Sequence, residues 1–396
     1  MIELGLARIT RLLKDTPTPW RAIHVAGTNG KGSVLNKRLF HEVEAMVKAR
    51  DQQQDVGASE FEILTATAFE IFNMEKIEVG IVEVGLGGRH DATNVLKHPA
   101  VTVITKIGED HQSFLGNTLE EIAYQKAGIM KKGVPCVVDG SNPSCVVDVL
   151  VKNAANVGAA SMRMIPQDFQ ECNSSWTTFP YASTNVHQQH MNDQVWAMLS
   201  KDDFETHQQM NICLAFHAIK EALASVDSSL DPRVWLPAIE QIIWPGRLQT
   251  LSIEALVGTK QHILLDGAHN IQSAEVLGSY VERKVRKNND TVTWVIAMSK
   301  GKDIKELLAR LFKPNDRLIA VEFGPVDGMP WVVPEKRENL VAAARSLDVE
   351  GLHIFSNREL NHGLQWAAHL ADGQPLVVAG SLYLVSDVLR MLRNEP

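Results

Sequence analysis

Two hydrophobic periods alternate along the first half of the chain. Residues 2–14 and 35–50 place apolar side chains every three or four positions, which is the spacing of a helix with one buried face. Short β-branched runs stand between such segments and are typical of buried strands. The runs predict strands at 23–26, 79–84 and 101–104, and a strand, helix and strand from 134 to 165. Further helices are predicted from 59 to 73, from 118 to 132 and from 208 to 223.

The second half of the chain is more regular. Helical stretches alternate with strands predicted at 262–266, 291–298, 317–323, 352–355 and 376–380. Strands that alternate with helices indicate a parallel sheet, because a parallel connection has to cross from one sheet edge to the other. The pattern predicts the α/β class, with a mostly parallel sheet in an N-terminal domain and a Rossmann-like C-terminal domain.

A domain boundary is predicted at the segment from Trp244 to Gln249, where proline and glycine end one helical pattern before a new set of strands. At 396 residues the chain is too long for one ordinary core. We expect an N-terminal domain of residues 1–244 and a C-terminal domain of residues 245–396. Residues 166–206 follow neither period and are predicted to be irregular, with Trp176 and Trp196 as local anchors.

Composition narrows the class of protein. The chain is 45% hydrophobic and 22% charged, which is typical of a soluble globular protein, and its net charge of −8 argues against a nucleic-acid partner. Four cysteines without metal-binding spacing indicate a reducing compartment. No apolar run is long enough to span a membrane, and no secretory signal is evident. We expect a cytoplasmic monomer, with a mitochondrial address left open by Arg8, Arg11 and Lys14.

A glycine-rich segment after the first strand is a candidate phosphate-binding loop. Its glycines let the backbone turn tightly enough to aim successive N–H groups at one anion. Lys31 adds a positive charge, and the Ser33 hydroxyl could coordinate magnesium. The spacing departs from the generic Walker pattern because Gly32 follows Lys31, so a glycine-rich turn with a chance lysine is the alternative. The full segment is Gly27, Thr28, Asn29, Gly30, Lys31, Gly32 and Ser33.

Two further strand ends carry candidate ligands. Glu83 ends a β-branched run and precedes a glycine-rich stretch that contains Asp91 and Asn94. Glu83 is a candidate magnesium ligand, and Asp91 with Asn94 could bind substrate or organise the loop. Asp110 and His111 follow the next strand, where the imidazole could ligate a metal and the carboxylate could orient it. A glycine-rich turn and a surface histidine are the alternatives.

These motifs resemble those of the folylpolyglutamate and dihydrofolate synthases, a branch of the Mur ligase superfamily. The resemblance rests on the strings at 27–33 and 83–94 and on three later ones, Pro245-Gly246-Arg247, Asp266-Gly267-Ala268-His269-Asn270 and Gly380-Ser381-Leu382-Tyr383. The five motifs stand in the order expected for the family. They therefore imply a P-loop-type nucleotide-binding domain followed by a Rossmann-like domain.

The resemblance assigns roles that the residue types alone do not. Lys126, by composition a solvated helix lysine, matches the lysine that Mur-type ligases carry as a carbamate and use as a ligand for a second magnesium ion. Asn211 matches a family asparagine on the nucleotide side, and Arg247 and Asp266 match ATP contacts. The catalytic set is then Lys31, Lys126 and His111, the metal ligands are Ser33, Glu83, His111 and Lys126, and the substrate-binding residues are Ser59 and Asp91.

The implied activity is ATP- and Mg²⁺-dependent ligation of L-glutamate to a carboxylate through an acyl phosphate. The stretch from Ser59 to Glu62 and the compact length look most like the fungal dihydrofolate synthases, which use dihydropteroate. Folylpolyglutamate synthesis, alone or as a dual activity, is the alternative.

One departure from the family leads to a third hypothesis for the function. Family members place a helix, a strand and a Ser-Pro-His-Leu loop after the phosphate loop, and this chain has no such segment after Val34. We therefore expect an impaired crossover, an unpaired strand edge and weak catalysis. The alternative is a catalytically impaired nucleotide-binding splice form or paralogue.

Overall fold

A computed structural model of the chain describes residues 5–27, 37–166, 178–179, 204–224, 239, 244–287, 290–326, 329 and 332–393. The chain separates into two compact units, Met1–Gln241 and Ile242–Pro396. Each unit has its own sheet and its own hydrophobic core. The predicted α/β class is confirmed, and the boundary between residues 244 and 245 stays a prediction.

Six strands form the sheet of the first unit, and the first five of them are parallel. β3 buries all four of its side chains, because a parallel sheet is covered on both faces. The strands, in the sheet order β2-β1-β3-β4-β5-β6, are β1 (Arg21–Ala26), β2 (Val79–Glu83), β3 (Val101–Ile104), β4 (Pro135–Asp139), β5 (Ser161–Ile165) and the antiparallel β6 (Thr178–Phe179). All the strands predicted before residue 166 are confirmed, with β2 ending one residue early. The irregular region expected at 166–206, including Trp176 and Trp196, lies mostly outside the described residues.

The predicted helices of this unit are present in the predicted order, and a short helix at Gln112–Leu115 was not predicted. The helices are α1 (Ala7–Leu12), α2 (Lys37–Gln54), α3 (Glu60–Met74), α4 (Gln112–Leu115), α5 (Leu119–Ala127), α6 (Ser144–Val157) and α7 (Thr206–Ala224), with a 3₁₀ turn at Ala92–Val95. Capping boxes at Ser59 and Thr118 begin α3 and α5. The predicted end of α5 near Lys132 is wrong. The helix ends at Ala127, and the chain continues in a turn whose N–H groups donate to carbonyls three residues back.

Helices pack on both faces of this sheet. Cys213 and Leu214 of α7 share one buried cluster with Ile23 of β1 and Val101 of β3. On the opposite face, α5 and α6 pack with Ile104 of β3. Since both faces are covered, ligands can approach only where loops leave the carboxyl ends of the strands.

Strand β2 is the edge of the described sheet. The chain passes from β1 to β2 through α2 and α3, with no strand among the described residues of that crossover, and β2 then pairs with β1 alone. Ile81 in the middle of β2 is 69% exposed. An exposed apolar side chain on an edge strand is unusual for a parallel sheet, and among the described residues the outer edge of β2 has no partner strand, as expected for a chain that lacks the segment after Val34.

The second unit also holds a six-stranded sheet. Its order is β11-β10-β9-β12-β8-β7, and all pairs are parallel except that between β7 and β8. The strands are β7 (Gln249–Ser252), β8 (His262–Leu265), β9 (Thr293–Ile296), β10 (Arg317–Ala320), β11 (His353–Ser356) and β12 (Leu376–Ala379). The five predicted strands are confirmed. The antiparallel edge strand β7 was not predicted, because it is short and buries none of its side chains fully.

The helices of the second unit alternate with these strands. They are α8 (Glu254–Val257), α9 (Ile271–Tyr280), α10 (Ile304–Ala309), α11 (Arg337–Arg345), α12 (Leu360–Ala371) and α13 (Leu382–Leu392), and a π-helical turn at Val281–Val285 follows α9. In the described parts of both units, none of the helices combines the length and the apolar character needed to cross a membrane.

Candidate functional site

The site predicted in the first unit lies at the carboxyl ends of β1, β2 and β3. Val25 of β1 pairs with Glu83 of β2, so Glu83 stands beside the last residues of β1. Gly27 follows β1 and packs so closely against Thr105, after β3, that a Cβ atom at Gly27 would overlap the threonine hydroxyl. The start of the predicted phosphate loop is thus fixed between two neighbouring strand ends. The rest of that loop, from Thr28 to Ser33 and including Lys31, lies outside the described residues.

Lys126 is the predicted site residue whose position the structure defines best. It lies in the last turn of α5 and is 5% exposed, although its sequence context is that of a solvated helix lysine. Its Nζ donates a hydrogen bond of 3.1 Å to the carbonyl oxygen of Gly27. Lysine is rarely buried unless it has a partner or a role. The structure therefore brings this lysine to the first residue of the phosphate loop.

Asp110 and His111 lie in the loop after β3. The His111 backbone is left-handed, with φ of 54°, and its N–H donates to the Asp110 carboxylate. The imidazole Nε2 lies 3.8 Å from Asp110 Oδ2, and the His111 side chain is half exposed. The carboxylate therefore lies beside the ring, as expected for a partner that orients it.

Asp91 organises the loop that follows β2. One carboxylate oxygen accepts the backbone N–H and the hydroxyl of Thr93, and the other accepts the N–H of Leu86. The Thr93 hydroxyl also lies 2.9 Å from Nε2 of the buried His24 in β1. The carboxylate thus closes the glycine-rich turn and ties it to β1. A direct role of Asp91 in binding substrate stays a prediction.

Two buried histidines in this unit are held neutral. Burial, with a contribution from the Lys131 ammonium, lowers the pKa of His24 to about 3. Burial also lowers the pKa of His217 to about 3, with contributions from Arg163 and Lys220. In the unfolded chain both imidazoles would regain a pKa near 6.5, so the unfolded state binds more protons at mildly acidic pH.

We therefore expect stability to fall as the pH drops below about 6.5. Each histidine should lower the free energy of unfolding by about 2 kcal/mol at about pH 5 and by almost nothing above about pH 7. Together they should lower it by about 4 kcal/mol at the lower pH. Urea unfolding at the two pH values measures this difference. His24→Gln should remove about half of it, and His98→Gln, at an exposed position, should remove none. A free energy of unfolding that stays constant over this range would contradict the expectation.

Ser59 and Phe61 show what sequence reasoning found and what it missed. The Ser59 hydroxyl accepts the Glu62 N–H and donates to the Glu62 carboxylate, so it caps α3 in this structure, and a role in substrate binding stays a prediction.

Phe61 was not predicted as a site residue. Its ring lies directly against Gly85, which leaves no room for a Cβ atom there, and the side chain is 36% exposed. The sequence carries no signal for this contact, because Phe61 and Gly85 lie 24 residues apart.

Only some of the predicted metal ligands lie among the described residues. No group of three or more His, Cys, Asp or Glu side chains in the described ranges could hold a metal ion. The predicted metal site stays a prediction, because Ser33 lies outside those ranges and Lys126 would become a ligand only as a carbamate. Glu83 and His111 are the two remaining predicted ligands.

In the second unit, Asp266 holds the segment that carries Arg247. Its carboxylate accepts the N–H groups of Leu248 and Ala268, at 2.8 Å each. Burial raises the pKa of Asp266, and these N–H groups together with Arg247 oppose that rise. Both Asp266 oxygens are thus used in shaping the loop, and its ATP contact stays a prediction. The predicted nucleotide contacts of Arg247 and of Asn211, which is half-buried on α7 of the first unit, also stay predictions.

Two protein families match the chain by their sequence profiles. The profile described as "Mur ligase middle domain" matches residues 25–159, and "Dihydrofolate synthetase, C-terminal domain" matches residues 249–391. The first match covers the strand ends just described, and the second covers most of the second unit.

Two fungal proteins are similar over their full length. The "Probable dihydrofolate synthetase" of Schizosaccharomyces pombe is 33% identical, over 100% of this chain and 99% of that protein. The "Dihydrofolate synthetase" of Saccharomyces cerevisiae is 32% identical, over 99% of this chain and 100% of that protein. The alignments span 437 and 451 positions, so both relatives contain residues that have no counterpart among the 396 of this chain.

A solved structure shares the fold. It is a bifunctional folylpolyglutamate synthase/dihydrofolate synthase with Mn, AMPPNP and L-glutamate bound. The TM-score is 0.70 at 23% identity, over 99% of this chain and 95% of that one.

Proposed function

The chain belongs to the dihydrofolate synthetase family of the Mur ligases, and from this membership we propose that it is an ATP-dependent ligase that joins L-glutamate to dihydropteroate to form dihydrofolate. The full-length similarity to two fungal dihydrofolate synthetases carries the proposal. The burial of Lys126 against Gly27 supports it, because a ligase of this type needs that lysine beside the phosphate loop.

The reaction has two steps. The carboxylate of dihydropteroate attacks the γ-phosphorus of ATP, ADP leaves, and an acyl phosphate forms. The amine of glutamate then attacks the acyl carbon, phosphate leaves, and the nitrogen loses a proton. Both steps concentrate negative charge on phosphoryl oxygens and require that water be excluded. We assign the binding of those oxygens to Lys31 and to the backbone N–H groups of residues 27–33.

Magnesium, when bound, would neutralise charge on the phosphoryl oxygens. Ser33, Glu83, His111 and Lys126 are the residues that would hold it. Three of these donors fit a hard cation, since a hydroxyl, a carboxylate and a carbamate supply oxygen, while His111 would supply an imidazole nitrogen. The carbamate forms when the neutral Lys126 amine attacks carbon dioxide and loses a proton. Arg247, Asp266 and Asn211 are proposed to contact the nucleotide.

Phe61 is proposed to bind the pterin ring of the substrate. Its ring lies on Gly85, in the loop that begins next to Glu83, and part of the ring is exposed. A flat heteroaromatic ring can stack on such a surface. Ser59 and Asp91 would support this region from the two elements that meet there.

The choice of substrate is tested with purified protein, ATP, Mg²⁺, L-glutamate and either dihydropteroate or tetrahydrofolate. We expect dihydropteroate to be used with the higher kcat/KM, measured as folate product by chromatography. Extension of tetrahydrofolate alone would favour folylpolyglutamate synthase, the alternative suggested by the bifunctional structural relative. Comparable use of both would indicate a dual activity.

A second candidate is a nucleotide-binding protein with impaired catalysis. Both fungal alignments are longer than this chain, and among the described strands β2 lies at the sheet edge with Ile81 exposed. An incomplete crossover would weaken the support of the phosphate loop, and a strand left unpaired can cost several kcal/mol of a stability of about 5 to 15 kcal/mol.

Restoring the missing segment tests this second candidate. A variant with the Saccharomyces cerevisiae segment inserted between Val34 and Leu35 should melt at a higher temperature than the present chain. It should also release phosphate much faster with dihydropteroate and glutamate. Equal melting temperatures and equal rates would show that the chain is complete without the segment.

A further inference from the structure

The loop from Gly88 to Asn94 covers the end of the helix that carries Lys126. The last four carbonyl groups of a helix lack the usual partner four residues further along, and they are bound by a tighter turn after the helix or by other segments. In α5 these carbonyls belong to residues 124–127. Arg89 supplies two of the partners, since its backbone N–H donates to Gln125 at 2.8 Å and its guanidinium donates to the Tyr124 carbonyl at 3.3 Å.

Two asparagines add to this cap, and the N–H groups of residues 128–130 donate to the carbonyls of residues 125–127. Asn153 of α6 donates to the carbonyl of Ala127, at 2.9 Å, and accepts the Arg89 guanidinium, at 3.2 Å. Asn94 donates both to the Arg89 carbonyl and to the carbonyl of Gly128, the residue after α5. The same loop therefore contacts the last turn of α5 from its backbone and from its side chains.

The backbones of the loop and the helix end lie in direct contact. A Cβ atom at Gly88 would come within 2.9 Å of the Lys126 carbonyl oxygen, and a Cβ atom at Gly128 would collide with the backbone of Arg89. The Arg89 guanidinium also lies 4.0 Å from the ring centre of Tyr124, at cation–π distance. The cap thus has little freedom to shift.

Resting on the proposed function, we infer that Arg89 is a positioning residue that holds Lys126 in place for the ligation reaction. Its loop begins five residues after Glu83 at the end of β2, so a single segment links one proposed magnesium ligand to the helix that carries another. The guanidinium also offsets the partial negative charge at the carboxyl end of α5, close to where Lys126 would become an anionic carbamate. Losing this cation and its hydrogen bonds would let the last turn of α5 shift.

The test compares Arg89→Ala, Arg89→Lys and the control Lys97→Ala, which removes an exposed cation. A misplacement of about 1 Å can cost about a hundredfold in rate. We expect Arg89→Ala to lower kcat by about 10- to 100-fold with little change in KM for ATP or dihydropteroate, Arg89→Lys to recover part of the loss, and Lys97→Ala to match the wild type. Labelling with ¹³C-bicarbonate should show a weaker lysine carbamate signal in Arg89→Ala.

Three outcomes would overturn the inference. The first is a kcat for Arg89→Ala close to that of the wild type, and the second is a raised KM with unchanged kcat, which would make Arg89 a substrate-binding residue. The third is a loss of activity that only follows the loss of folded protein in a melting curve, with the carbamate signal unchanged. A wild-type chain with no carbamate signal would instead contradict the proposed role of Lys126, and the kcat comparison would still decide the role of Arg89.

Discussion

Replacing Lys126 by alanine should abolish amide formation. The lysine is buried, and its Nζ donates to the carbonyl of Gly27, the first residue of the phosphate loop. As a carbamate it would supply anionic oxygens to magnesium, and loss of that electrostatic stabilisation should cost at least about 10³-fold in kcat. The measurement is the initial rate of dihydrofolate formation from dihydropteroate, ATP and glutamate.

Chemical rescue gives this experiment its specificity. A small carboxylic acid such as acetate should enter the space left by the lysine and restore part of the activity of Lys126→Ala. The control is Lys132→Ala, which removes an exposed lysine just beyond the same helix and should keep the wild-type rate. If Lys126→Ala were fully active without acetate, Lys126 would have no place in the mechanism.

Replacing Lys31 by alanine should have an effect of similar size for a different reason. Lys31 is proposed to neutralise the phosphoryl group as it is transferred, and removing a charge at a developing anion costs at least about 10³-fold. Phosphate release under single-turnover conditions measures this step. Lys37→Ala, at the start of α2, is the matched control and should change the rate little. Equal losses from the two variants would mean that the phosphate loop has been misplaced.

Most of the fold could be predicted from local pattern. The β-branched run at 101–104 is β3 residue for residue, and Ser59 and Thr118 begin helices with the capping boxes that their spacing indicates. These features depend on neighbours within a few residues, so they can be read along the chain. β7 could not be predicted, because a short edge strand is stabilised mainly by the strand it pairs with.

The candidate site was predictable in position and less so in detail. Glu83, Gly27 and Thr105 meet because parallel strands end at the same edge, which the strand order implies. That Asp91 uses its carboxylate within its own loop depends on where Thr93 and Leu86 lie in the folded chain. The residues around Phe61 in the sequence do not indicate that its ring contacts Gly85.

The sequence by itself determined the α/β class, the order of the longer strands and helices, and the motifs that place the chain among the dihydrofolate synthetases. These follow from periodicity and from short strings of residues, which need no knowledge of distant contacts. The tertiary structure decided that Lys126 is buried, that α5 ends at Ala127 and that Arg89 and Asn94 cap it. The burial of Lys126 and the contacts of Arg89 and Asn94 with the end of α5 join residues more than 30 positions apart along the chain, which no local pattern specifies.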